Sequence, residues 1–111
     1  MPYDTRTHLF ANNAQSRLVG SISNAQTTII VSAGTGSRFP SPIPNEIFKL
    51  SIYNFTTGDV EIVHVTQRVG DLMTVERGQE GTTPTAFPEG SSVVHTVTAQ
   101  TLEWLQSLVG G

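Results

Sequence analysis

Five stretches of this 111-residue chain set apolar against polar positions in the way that extended strands require. The clearest covers residues 60–82, VEIVHVTQRVGDLMTVERGQEGT, and predicts two strands, a tight turn and a glycine-bearing exit loop. β-Branched residues dominate Val60 to Thr66. Ile62 falls on one face and Val63 and Val65 on the other, which suits a central strand covered on both sides. Gly70-Asp71 supplies the turn, and Leu72 to Arg77 returns with Met73 and Val75 on one face and Thr74 and Glu76 on the other. The exit loop is a structural one. The loop Gly78-Gln79-Glu80-Gly81-Thr82 supplies glycines at which the backbone is free to take positive φ.

The other elements follow from the same pattern. Thr27 to Ser32 is a strand by propensity, ended by Ala33-Gly34-Thr35-Gly36. Pro40, Pro42 and Pro44 make the next segment a stiff loop without ladder bonds. Glu46 to Tyr53 alternates well, with Phe48, Leu50 and Ile52 inward and Lys49 and Ser51 outward. Thr57-Gly58-Asp59 turns the chain, Pro84 to Gly90 is a loop, and Ser91 to Thr98 is a last strand. It sets Val93, His95 and Val97 against Val94 and Thr96.

The period then changes. Leu102, Leu105, Leu108 and Val109 follow at spacings of three and four behind Thr98, whose hydroxyl suits a helix cap. A helix of about ten residues is marginal alone and must pack on something. Trp104 lies off the leucine stripe, so the helix either plugs the β-domain or forms an oligomer contact. Residues 1–20 sustain neither period. They read as an extended arm, either a loose terminus or one that lays Leu9 and Phe10 on a neighbouring subunit. The expected fold is mainly β: a small β-sandwich or partly open barrel. Its parts are an N-terminal arm (1–20), a β-domain (21–98) and a short C-terminal helix (99–111) packed on the domain or a neighbouring subunit.

Composition narrows the function. Charged residues make up 14% of the chain, against roughly 25% in typical soluble domains. Six scattered basic residues against nine acidic ones give a net charge of −3, which argues against direct nucleic-acid binding. Cysteine is absent, so disulfides and thiolate metal sites are excluded. No signal peptide and no apolar run of membrane-spanning length is visible, and a soluble protein is expected.

Candidate chemistry is sparse. Gly34-Thr35-Gly36 lacks the third glycine of a dinucleotide fingerprint and is followed by prolines rather than a helix; Gly78 to Thr82 lacks the lysine of a phosphate loop. Both read as turns. His8, His64 and His95 form no i, i+4 pair. His64 and His95 conceivably share a face, but a third ligand among Asp59, Glu61 and Glu80 is an arbitrary choice. No Gly-x-Ser-x-Gly element exists, and no cleft for paired carboxylates is marked. Arg77 is placed to pair with a carboxylate and fix the exit loop; as an exposed pair this is worth about 0–1 kcal/mol. No enzyme, metal or cofactor is expected.

A resemblance emerges from the order of several short pieces. These are Asn12-Asn13-Ala14, Thr27 to Val31, Gly34-Thr35-Gly36 before Phe39-Pro40, and Glu61-Ile62-Val63 with Val65-Thr66. Gly70-Asp71 with Thr74-Val75, Arg77 to Thr82, and Val93 ahead of Thr98-Ala99 complete the series. Together they are similar to a small module in tail fibre and tail structural proteins of tailed bacteriophages, over about Asn12 to Leu102. Pro44-Asn45-Glu46 departs from it, standing where relatives tend to have a glycine before the aromatic strand.

The resemblance implies a non-enzymatic β-module of the virion, in tail or neck, made in the host cytoplasm. In longer relatives a fibre follows the module; ending at Gly111, this chain is expected to be an adaptor, collar or tail-fibre-attachment component. Its expected partners are itself, as a trimer, and other virion proteins. The expected contact surfaces are Leu9, Phe10, Leu102, Trp104, Leu105 and Leu108. The alternative is a receptor- or glycan-binding module in which Trp104, Tyr53 or Tyr3 stacks on a sugar.

Overall fold

A computed structural model describes residues 5–11, 14–96, 101, 102, 105 and 108. Its strands are β1 (Thr7–His8), β2 (Gln15–Arg17), β3 (Thr28–Ile30), β4 (Glu46–Tyr53), β5 (Val60–Val69), β6 (Leu72–Gln79) and β7 (Ser92–His95). The fold is mainly β, as expected. β4 spans the predicted residues, and β5 and β6 meet at Gly70-Asp71, where Gly70 has a φ of 61°. Of the predicted C-terminal helix (99–111), all but residues 101, 102, 105 and 108 lies outside the described residues. Thr101, Leu102, Leu105 and Leu108 are helical in conformation, and Trp104 lies outside the described residues.

One sheet runs in the order β2-β7-β4-β5-β6-β3, with antiparallel neighbours throughout. β1 joins β4 in parallel, on the edge that β7 also occupies. The Asn45 and Ile47 carbonyls accept from Thr7 and Leu9, and the Lys49 carbonyl accepts from Thr96. The sheet curls until its outer strands meet at one bridge, Leu18 to Val31, so the architecture is a partly open barrel. Two register slips bend it, one between Ile62 and His64 and one between Val65 and Gln67. At the first, the additional residue is in β6 beside Gly78, whose φ is 59°.

The sequence reading found no strand in residues 1–20, yet Gln15–Arg17 pair with β7 and Leu18 is buried in the core. Phe48, Leu50 and Ile52 of β4 face inward with Val63 and Val65, Met73 and Val75, Ile29 and Val31, and Val93. Phe39 stacks on Phe48 with ring centres 6.0 Å apart, drawing the proline-rich loop over one barrel end. Asn45, just before β4, has a φ of 72°, in the left-handed region that glycine enters most easily.

Lys49 takes the predicted outward phase but is 1% exposed, because the outer face of the sheet is also covered there. Ile47 is buried apart from the main core, and His8 and Thr101 are buried too. Arg6 reaches across to Glu76 with two hydrogen bonds, of 2.6 and 3.1 Å. Among the described residues no helix is long and apolar enough to cross a membrane.

Candidate functional site

The exit loop holds a dense polar cluster, and its inner anchor is an ion pair. Glu61 is opposite Ile52 and in phase with Val63 and Val65, so its carboxylate enters the barrel end with no exposure. Arg77, in phase with Met73 and Val75, meets it through Nε to Oε2 and Nη2 to Oε1, both 2.8 Å. The backbone N–H groups of Gly78 and Thr85 donate to the same carboxylate, each at 2.8 Å. Arg77 also donates to the carbonyls of Ser23, Gln26 and Thr85. Burial would raise the Glu61 carboxyl, but Arg77 and the two backbone donors outweigh it and hold it below the usual range. The expectation of an exposed pair is therefore corrected. Breaking a buried, fully bonded pair costs about 3–5 kcal/mol rather than a fraction of one.

The loop's outer anchor is Glu80. Its Oε2 lies 2.8 Å from Lys49 Nζ and 3.5 Å from His64 Nε2, on the face opposite Glu61. Gly78, Glu80 and Gly81 have φ values of 59°, 55° and 84°, and Thr82 N–H returns to the Gln79 carbonyl, as in a type I′ turn. Thr82 Oγ1 then accepts from Ile62 N–H, tying the loop to β5. A Cβ on Gly78 would overlap the Pro84 ring.

The nominated metal ligands scatter. His64 is opposite Lys49 on the outer face, whereas His95 is opposite Leu50 and packs edge-on to Phe48 and Phe10. The two histidines do not share a face. Burial pushes the His95 imidazole down, partly offset by its bond to the Lys49 carbonyl. Asp59 takes the Thr57 hydroxyl, and Glu61 and Glu80 serve the anchors. Among the described residues no group of three or more His, Asp or Glu is placed to hold a metal ion.

Gly34-Thr35-Gly36 does cradle an anion, but it is the chain's own. Asp71 in the β5–β6 turn accepts from Gly34 N–H at 3.0 Å and Gly36 N–H at 2.8 Å. Those two donors hold its carboxyl below the usual range.

Of the expected contact residues, Leu9 is half-buried against the core and Phe10 is half exposed at the rim beside His95. Leu102 and Leu108 are exposed, Leu105 is half-buried, and Trp104 lies outside the described residues. Of the aromatics expected to stack on a sugar, Tyr53 packs edge-on to Phe55 at 4.9 Å, and Tyr3 also lies outside.

The sequence reading missed an apolar row. Val69 is opposite Leu72, Leu72 is opposite Ile30, and Val19 N–H bonds the Ile30 carbonyl, so four aliphatic side chains line up across the outer surface. They are 64, 44, 51 and 48% exposed in the order Val69, Leu72, Ile30, Val19. The signal was an excess of apolar residues. In Ile29-Ile30-Val31 and Leu72-Met73 one member of each adjacent pair must face out. Comparison with known protein families and with curated proteins finds no match to the chain.

Proposed function

We propose that this protein is a non-enzymatic structural component of a tailed-bacteriophage virion. In this reading it self-associates, as a trimer, and docks on the tail or neck as an adaptor, collar or tail-fibre attachment. The phage assignment rests on the ordered motifs from Asn12 to Leu102. Self-association is carried by the row Val19, Ile30, Leu72 and Val69, which crosses four chain segments and contains no charge. An uncharged aliphatic stripe meets its own copy without like-charge repulsion and removes apolar surface from water. The polar clusters support a structural role in another way: the Glu61 carboxylate and the Arg77 guanidinium are spent on holding loops together.

Light scattering on the purified chain tests the reading. A mass of three subunits is expected, falling to one in Leu72→Asp and Ile30→Asp, which stay folded but lose the concentration dependence of the unfolding midpoint. A monomer at every concentration in the unmutated chain overturns self-association.

A further inference from the structure

The barrel seam closes at Leu18–Val31 and opens beyond it. Gln15, Ser16 and Arg17 line one side of the gap and Ser32, Thr35 and Arg38 the other, around a cavity of about 300 Å³. Its walls carry Arg17 and Arg38 and the hydroxyl-bearing Ser16, Ser32, Thr35 and Ser92. None of the lining residues is acidic, in a chain with a net charge of −3.

The two arginines differ from the others. Arg6 pairs with Glu76, Arg77 with Glu61, and Arg68 lies close enough to Asp71 to lower its carboxyl. Arg17 and Arg38 meet no carboxylate among the described residues. Each gives one N–H to a carbonyl, Gly90 at 3.0 Å and Gln15 at 3.3 Å, out of the five that a guanidinium carries. Arg17 is further held over the ring of Phe55, 5.3 Å from its centre, on the side away from the cleft lining. Ser16 Oγ and Thr35 Oγ1 meet at 2.6 Å across the gap and fix its hydroxyl wall. The uncommitted donors of Arg17 are thus held in place before any ligand arrives, which lowers the cost of binding.

We infer that this cleft binds an acidic sugar. The carboxylate or phosphate of the sugar sits between Arg17 and Arg38, and its hydroxyls meet Ser32 and Ser92. Paired guanidinium groups are suited to oxyanions by their fork geometry. The hydroxyl-rich wall and a volume at the small end of ligand sites favour a compact polyhydroxylated molecule over a peptide, which would need an apolar anchor. A nucleic-acid polyanion is opposed by the acidic balance of the chain. The inference stands whether or not the chain self-associates.

The test is titration of the isotope-labelled full chain with glucuronic acid, a hexose monophosphate, glucose and inorganic phosphate, followed by amide NMR shifts. Saturable shifts centred on Arg17, Ser32, Arg38 and Ser92 are expected with at least one acidic sugar, and which one responds distinguishes carboxylate from phosphate. Glucose and inorganic phosphate should bind at least tenfold more weakly. Arg38→Gln should weaken binding about tenfold, the scale of one lost charge-assisted hydrogen bond. Arg17→Gln is the second variant, and amides remote from the cleft report that each has folded. No saturable response to either acidic sugar overturns the proposal, as does unchanged affinity in both variants. Equal affinity for inorganic phosphate overturns the sugar assignment.

Discussion

Arg77 and Glu80, three residues apart, grip the sheet from opposite faces. The guanidinium of Arg77 is bonded to Glu61 inside the barrel, and the carboxylate of Glu80 is 2.8 Å from Lys49 outside it. The turn between them positions both, with Gly78 and Gly81 in left-handed conformations that cost a larger residue free energy. Glu80 takes the same conformation without being glycine, and its ion pair with the buried Lys49 offsets the cost.

The inner anchor is expected to dominate stability. Glu61→Ala should destabilise the chain by about 3–5 kcal/mol, because it strands a buried guanidinium. Arg77→Lys should also cost heavily, since one ammonium cannot serve two carboxylate oxygens and three carbonyls together. Urea unfolding followed by far-ultraviolet circular dichroism measures both; midpoints within error of the unmutated chain would remove the pair from the account.

Acid should act in two windows. The folded carboxyls of Glu61 and Asp71 are depressed, so the native state binds fewer protons than the unfolded one, and stability falls as pH drops below the ordinary carboxylate range. His95 is also depressed, so its contribution is complete above its ordinary pKa of 6.5 and is lost as pH falls below it. His95→Gln should flatten the milder slope and leave the steeper one, which Glu61→Gln and Asp71→Asn should reduce. Denaturant midpoints across the acid range read both.

Two glycines two residues apart should respond unequally. A Cβ on Gly36 would overlap the Gly70 carbonyl oxygen, which is backbone and cannot yield without opening the Asp71 cradle. Gly36→Ala should therefore cost on the order of 3 kcal/mol, among the larger effects of a point change. Gly34 has open space around it but a φ of 79°, so Gly34→Ala should cost about 1 kcal/mol. Equal losses in thermal unfolding would show that the overlap is relieved by movement.

Asn45 offers the opposite case. Its φ of 72° is tolerated by asparagine and easy for glycine, so Asn45→Gly should be near neutral or slightly stabilising. Asn45→Val should cost about 1–2 kcal/mol, as expected for a branched residue forced left-handed. Matched unfolding curves for the two variants would contradict this.

Much of the fold was legible because β4, β5 and β6 announce themselves through alternation. Glu46–Tyr53 places Phe48, Leu50 and Ile52 on one face, and no other period fits. β2 was not legible: Gln15-Ser16-Arg17 is polar, and its place in the sheet comes from backbone pairing with Ser92, Val93 and Val94. The Glu61–Arg77 pair was legible in principle. Both residues fall in the inward phase of their strands, and two opposite charges in core register imply each other. Burial, which the pattern of charges alone does not reveal, is what sets their worth apart from that of a surface pair. Nothing local in the sequence brings Arg17 and Arg38 to one cleft, since only closure of the seam does so.

The place of β7 in the sheet has a consequence for the order of folding. It sits between β2 and β4, pairing Val94 with both Gln15 and Ser51, so the earliest strand of the sheet proper is held by the latest. During synthesis the meander β4-β5-β6 can form as it emerges, while β2 waits about eighty residues for its partner. Until then the part of the β4 edge that β1 leaves uncovered, Leu50 to Tyr53, is an open template for any extended chain, including an incomplete sister molecule. Slow or interrupted elongation between Pro84 and Ser92 is therefore where this protein is most exposed to mispairing.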